Sequence, residues 1–239
     1  SIPAAEHSTM TTWGKDGEVA AYENMLDQFS GPGKLFAVVS DSYDIWNAID
    51  NIWGDELKEK VETSGGTLVV RPDSGNPVEV VTETIERLMA KFGYETNSKG
   101  YRMLPACVRV IQGDGVNEAS IKQILSAMEA RGLSADNVAF GMGGALLQKV
   151  DRDTMRFAMK ASAAKVNGDW RDVYKDPVTD RDKRSKKGRL AVIEPEPGNY
   201  KTIPEAELGS RKNILETVYR NGKLIREFSF DEVRENASR

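Results

Sequence analysis

Thr67-Leu68-Val69-Val70-Arg71-Pro72-Asp73-Ser74-Gly75-Asn76-Pro77 carries a short apolar run, a polar turn and the start of a helix. Three further segments repeat that layout. Phe36–Ser40 runs into Asp41, Val108–Gln112 into Gly113-Asp114-Gly115, and Val138–Phe140 into Gly141-Met142-Gly143-Gly144. Helix-like stretches separate the four runs, and this alternation predicts parallel strands joined by right-handed crossovers. Parallel strands bring their C-terminal ends to one rim of a sheet or barrel, so the four polar ends are expected to converge on one site.

The intervening periodicities are helical. Val19, Ala20, Tyr22, Met25, Leu26 and Phe29 recur at helical spacing over 16–29, and Ser30-Gly31-Pro32-Gly33 stops that helix. A helix from about Asp44 to Trp53 carries Ile45, Ala48, Ile49 and Ile52 on one face, and a further helical piece covers 56–62. Helices over 78–92 and 118–131 follow, with 93–106 a long connection between them. Gly141–Gly144 opens a short helix to about Val150. Beyond about residue 155 the pattern changes. Arg156–Val166 alternates as a strand does, Arg189–Ile193 is a short strand, and Asn221-Gly222 marks a hairpin. Ser229-Phe230-Asp231-Glu232 is a capping box before a terminal helix. The fold class is therefore α/β, with most of an α/β barrel over 1–155 and a smaller β-rich unit over 156–239.

Composition narrows the function. The charged fraction is 29% and the hydrophobic fraction 39%, as in ordinary soluble domains. No apolar run has the length of a membrane span, and the first residues lack a signal-peptide layout. A net charge of −4 argues against a general nucleic-acid surface. The exception is the basic run Lys183-Arg184-Ser185-Lys186-Lys187-Gly188-Arg189, which is either a solvated loop or a partner for an anion. One cysteine, Cys107, excludes an internal disulfide and fits a reducing cytosol; its simplest role is a small buried hydrophobe. His7 is the sole histidine, so multi-histidine metal sites are excluded as well. The chain opens on Ser1 rather than methionine, and a truncated, cleaved or two-chain protein is expected.

The strand ends offer specific chemistry. Arg71 is a planar cation for a phosphate or an aromatic ring, and Asp73 an acceptor for ribose hydroxyls or a magnesium shell; alternatively the two form an ion pair that locks a turn. Gly113-Asp114 permits close backbone approach beside one carboxylate, or is simply a turn. Gly143-Gly144 before a helix favours a phosphate, with Arg152 about two turns further on as a counter-charge; a glycine turn without ligand is the alternative. Asp41 is suited to a metal-bound water and Asp44 to capping the next helix. His7 is a diphosphate-binding cation, a nucleophile or a structural side chain. Lys175 and Lys183 gain a role only beside a polyphosphate. Together these parts indicate a phosphorylated ribose bearing a diphosphate, without fixing a reaction.

Pro3-Ala4-Ala5-Glu6-His7-Ser8-Thr9, Val39–Asp44, Arg71–Pro77, Val110–Val116, Gly143-Gly144 with Leu146–Lys149, and Lys183–Leu190 resemble the nicotinamide phosphoribosyltransferase family of type II phosphoribosyltransferases. The likeness covers nearly the whole chain and corresponds to the C-terminal half of such an enzyme. It implies transfer of phosphoribose from phosphoribosyl diphosphate (PRPP) to nicotinamide, giving nicotinamide mononucleotide and pyrophosphate, in a cytoplasmic homodimer with magnesium. It further implies that His7 is phosphorylated from ATP, that Arg71 packs on the nicotinamide ring, and that Asp73, Gly113 and Asp114 hold the ribose. Gly143, Gly144 and Arg152 match the 5′-phosphate positions, Lys175 and Lys183 the diphosphate loop, and Asp41 an acidic residue near magnesium, through water or the diphosphate. The base-selecting wall is implied to lie in a companion N-terminal polypeptide. Met142 and Ala37 depart from the resemblance, standing where animal members carry serine. Nicotinate as the base, or a PRPP-binding fragment without turnover, are the alternatives.

Overall fold

The computed structural model describes residues 2–143 and 158–238. They fall into two compact units, 1–188 and 189–239. The first opens with α1 (His7–Thr11) and α2 (Glu18–Phe29), then strand β1 (Leu35–Val39), α3 (Ile45–Asn47), α4 (Lys58–Thr63) and β2 (Thr67–Arg71). Helix α5 (Pro77–Phe92) leads into the short strands β3 (Glu95–Thr96) and β4 (Arg102–Met103), then β5 (Val108–Gln112), α6 (Glu118–Ala130) and β6 (Val138–Phe140). A hairpin of β7 (Ala163–Val166) and β8 (Asp169–Asp172) follows.

The expected parallel sheet is present, in the order β1-β2-β5-β6. Its registers pair Val38 with Val70, Val70 with Val110, and Val110 with Val138. Val38, Val70 and Val110 are fully buried; β1 and β2 bury consecutive apolar residues, whereas β5 alternates, with Arg109 and Ile111 half-buried. Helix α5 covers the sheet with Val81, Ile85 and Leu88, each wholly excluded from solvent. It starts where Asn76 accepts from the backbone amides of Val78 and Glu79, with Pro77 in the first turn where its missing N–H costs nothing.

Three details differ from expectation. Ala48–Glu56, expected as α-helix, is wound as a π-helix that closes with the amide of Leu57 donating to Ile52 at 2.8 Å. Gly54 suits that wide turn: a Cβ there would lie 2.6 Å from the Ile49 carbonyl and 2.5 Å from the Lys91 side chain. The connection 93–106 contains the β3–β4 pair, organised by Asn97 Oδ1, which accepts from the amides of Lys99 and Tyr101. The strand expected over 156–166 is shorter and turns back through Asn167-Gly168, both at positive φ, as the type I′ hairpin requires.

The second unit pairs β9 (Leu190–Glu196) with β10 (Asn199–Pro204) around a small core of Ala191, Ile193 and Ile203. Its hairpin of β11 (Tyr219–Arg220) and β12 (Lys223–Leu224) turns at Asn221-Gly222, and α7 (Phe230–Ala237) begins at the Ser229–Glu232 capping box. Both features match the sequence signals. The helix expected from Gly144 to Val150 lies outside the described residues. Among the described residues, no helix is long and apolar enough to cross a membrane.

Candidate functional site

Residues 3–5 run beside β1: the Ala5 amide donates to the Ala37 carbonyl and the Ala37 amide to Pro3, each at 2.9 Å. This pairing delivers α1 to the C-terminal end of β1, so His7 meets Asp41, two residues beyond the strand. His7 Nε2 lies 2.9 Å from Asp41 Oδ1, and both side chains are buried. His7 Nδ1 lies 3.8 Å from Asp73 Oδ2, beyond the end of β2. The ends of β2 and β5 are tied together by Lys183, whose Nζ donates to the Asp73 carbonyl at 2.8 Å and pairs with the Asp114 carboxylate. His7, Asp41, Asp73, Lys183 and Asp114 thus form one chain of contacts across three strand ends.

The electrostatics follow from crowding. Burial opposes ionisation of Asp41, but the hydrogen bond and charge of His7, with help from Lys175, outweigh it and hold the carboxyl below the ordinary range. Asp73 is pushed up by burial and by the charge of Asp41, with His7 and Arg71 resisting. Burial draws Lys175 down despite Asp41 and Asp73. Burial also works against Lys183, yet its hydrogen bond to Asp114 prevails and raises it.

Arg71 ends β2 and approaches Glu6 at 3.5 Å, so its ion pair is with Glu6, and the alternative turn-locking pair with Asp73 is not among the described ion pairs. Its Nε is buried without a hydrogen-bond partner, as is Asp41 Oδ2. Asp44 does cap the next helix, accepting from the amides of Trp46 and Asn47. Gly113 follows β5, where the Gln112 side chain donates to the Asp114 carbonyl at 2.7 Å. Gly143 is exposed beyond β6, and among the described residues nothing lies within 4 Å of where its Cβ would be. Gly144 and Arg152 lie outside the described residues. Ala37 packs into the sheet, and nothing in the structure explains Met142.

Sequence reasoning missed the device that seats the lysines. The amide of Asp176 donates to Ser42 at 2.7 Å and that of Val178 to Tyr43 at 2.9 Å, which fixes the segment after Tyr174 onto the end of β1. Ser74 and Thr179 share a hydroxyl hydrogen bond at 2.5 Å, and Lys175 pairs with Ser185 through both backbone amides. Much of the basic run is therefore anchored: Lys187 sits 5.0 Å from the Tyr174 ring centroid and Arg184 3.7 Å from Asp176. A cleft of about 500 Å³ lies alongside, lined by Lys15, Tyr43, Tyr174, Arg181 and Arg184 among others. These are contacts between loops distant in sequence, and no local pattern announces them.

A second buried carboxyl lies below the rim. Burial pushes Glu18 from an ordinary 4.5 up to about 7, against the Tyr22 hydrogen bond and the charge of Lys15. A raised acid binds its proton more tightly in the folded state, so its contribution to stability is complete below about 4.5 and is lost as pH rises through about 7. Glu18→Gln is expected to remove that decline, worth at most roughly 3 kcal/mol. Thermal unfolding at pH 5 and pH 8 checks this, and a wild-type decline that persists in the variant would assign it elsewhere.

The donor set suits a hydrated cation better than a caged one. Among the described residues no cluster of three or more histidine, cysteine or carboxylate side chains surrounds a metal position. The buried, unpartnered Asp41 Oδ2 is instead suited to accept from a metal-bound water, the way magnesium is usually held beside phosphates.

Comparison with known proteins agrees with this architecture. The model of the nicotinate phosphoribosyltransferase (NAPRTase) family matches residues 1–223. A protein of Xanthomonas campestris pv. campestris named nicotinamide phosphoribosyltransferase is 53% identical over 242 aligned residues, covering 99% of this chain and 52% of that protein. Proteins of the same name from Mycoplasma pneumoniae and Acinetobacter baylyi are 37% and 30% identical, over 80% and 98% of this chain and 44% and 50% of their own lengths. The chain spans about half the length of the curated relatives it matches. On the family match and these identities, the chain belongs to the nicotinate phosphoribosyltransferase family.

Proposed function

We propose that this chain carries the PRPP side of a phosphoribosyltransferase that converts nicotinamide and PRPP into nicotinamide mononucleotide and pyrophosphate. The observation that carries the reading is the continuous chain from His7 through Asp41 and Asp73 to Lys183 and Asp114. Nicotinamide rather than nicotinate is favoured by the names of the similar proteins. The base-selecting wall is assigned to a companion N-terminal polypeptide, within a cytoplasmic homodimer.

In the transfer, the ring nitrogen of the base bonds to C1′ of the ribose while the C1′–O bond to diphosphate breaks and pyrophosphate leaves with the electron pair. Positive charge develops on the ribose and negative charge on the leaving group. Asp73 and Asp114 are the acceptors for the ribose hydroxyls, and Gly113 lets the backbone approach them. Lys175 and Lys183 face the diphosphate, and Lys183 exchanges its contacts to Asp73 and Asp114 for the ligand. Arg71 offers its planar face to the base, and Gly143, Gly144 and Arg152 take the 5′-phosphate. Magnesium, held through water by Asp41, supplies charge neutralisation at the diphosphate when bound.

ATP is the proposed co-substrate, with His7 its phosphoryl acceptor. An ionised Asp41 can only accept, so Nε2 carries the proton and Nδ1 offers the lone pair in the neutral ring. Nδ1 attacks the γ-phosphorus and ADP departs. The His7→Ala variant is expected to keep basal turnover while losing ATP stimulation. Assay of this chain with its companion polypeptide, supplying nicotinamide or nicotinate with PRPP, tests the whole reading. Mononucleotide from nicotinamide supports it, and turnover of nicotinate alone overturns the choice of base.

A further inference from the structure

A polar network lies beneath the rim and has no part in the transfer described above. Glu18, at the start of α2, is only 7% exposed, and its carboxylate accepts from the Tyr22 hydroxyl at 3.0 Å. Tyr22 is fully buried and stacks flat on Trp53, with centroids 4.7 Å apart and planes 2° from parallel. Trp53 Nε1 donates to Ser40 Oγ at 3.2 Å, and the Ser40 hydroxyl also interacts with that of Tyr22. Ser40 directly precedes Asp41, the partner of His7. The Ser40 hydroxyl itself donates to the Val38 carbonyl at 3.1 Å, so the network reaches Asp41 and His7 through the Ser40–Asp41 peptide bond and not through a further side-chain contact.

Core packing alone does not call for this arrangement. A carboxyl and two polar aromatic tips in an apolar core carry a desolvation cost that leucine and phenylalanine would avoid. No ion pair to Glu18 is found among the described residues; Lys15 acts on it only at range. The groups facing it are Lys15 before the helix, Tyr22 on α2, and Asp41, Tyr43 and Asp44 after β1. Most of these are acidic or neutral, so a charge on Glu18 is felt at Asp41.

We propose that Glu18 is a positioning residue for the Asp41–His7 pair, acting through Tyr22, Trp53 and Ser40. The inference goes beyond the transferase reading, and its test needs no turnover. Its failure leaves that reading standing, and loss of nicotinamide activity leaves the network standing.

His7 is the only histidine, so ring ¹⁵N NMR of the histidine-labelled chain reports this pair without ambiguity. In the wild type the Nε2–H tautomer is expected for the neutral ring, and the ring shifts are expected to carry an inflection from Glu18, near pH 7, besides the one from the imidazole's own protonation. Glu18→Gln keeps an acceptor for Tyr22 and is expected to keep the tautomer while losing the Glu18 inflection. Tyr22→Phe cuts the link and is expected to give mixed tautomers. Ile124→Val, which loosens the same core from α6, is expected to leave the His7 signals alone. A pH profile of the His7 shifts that is unchanged in Glu18→Gln overturns the proposal, as do changes that Ile124→Val reproduces. If Tyr22→Phe fails to fold, the wild type and Glu18→Gln decide the matter by themselves.

Discussion

Asp41→Asn is expected to lower kcat/KM for mononucleotide formation by about 10²–10³, the range seen when one preorganised electrostatic group is removed from an active site. The substitution is nearly isosteric, so packing is preserved and the charge is what is lost. Two consequences follow from the geometry. His7 loses the ionised acceptor 2.9 Å from Nε2, which frees its tautomer. The rim also loses the buried, unpartnered oxygen suited to a metal-bound water. The loss is expected in kcat more than in the KM for nicotinamide, because Asp41 faces His7 and the proposed diphosphate side. Steady-state kinetics at saturating magnesium check this, and a variant with unchanged kcat would remove Asp41 from the catalytic machinery.

Trp53→Ala is expected to destabilise the chain by about 3–5 kcal/mol, as for other buried aromatic truncations. For a chain of this size that corresponds to a melting temperature lower by roughly 10 °C. Trp53 is fully buried, stacks on Tyr22 and donates to Ser40, so the truncation opens a cavity and leaves the Ser40 hydroxyl without that donor. Calorimetry or circular dichroism measures the shift. Trp53→Phe retains the ring, loses the N–H, and is expected to recover most of the stability. A shift of only one or two degrees in Trp53→Ala would show that the core collapses around the cavity.

The sheet was legible because its signal is local. β1 and β2 bury Phe36–Val39 and Leu68–Val70 as consecutive apolar residues, so each of these strands advertises itself as an apolar run, and β5 keeps the signal in Val108 and Val110 despite Arg109. Asn76-Pro77 and Ser229–Glu232 were equally plain, since caps are chemistry between residues two or three apart. The π-helix over 48–56 was not legible, because its apolar positions also fit an α-helix and the close approach of Lys91 to Gly54 comes from another element. Asn167-Gly168 carried the same hairpin signal as Asn221-Gly222, but the alternation read before it drew attention to one strand instead of two.

The site divides the same way. Asp41, Asp73 and Asp114 could be placed on one rim because parallel strands force their ends together. That Lys183 would bridge Asp73 and Asp114 could not be foreseen, since 110 residues separate Lys183 from Asp73. Nor could the Glu6 partner of Arg71, or the backbone bonds from Asp176 and Val178 that seat Lys175 near Asp41. Each depends on a loop returning across the sheet, and that path is set by tertiary packing.

The most direct test of the central claim, that these strand ends form a PRPP site, is calorimetric titration of PRPP with magnesium into the chain and into its Asp114→Ala variant. The account predicts saturable binding at one site per chain, at least about tenfold weaker in the variant, the loss expected when a charged hydrogen-bonding group is removed. Absent binding in the wild type, or equal affinity in both proteins, would contradict it.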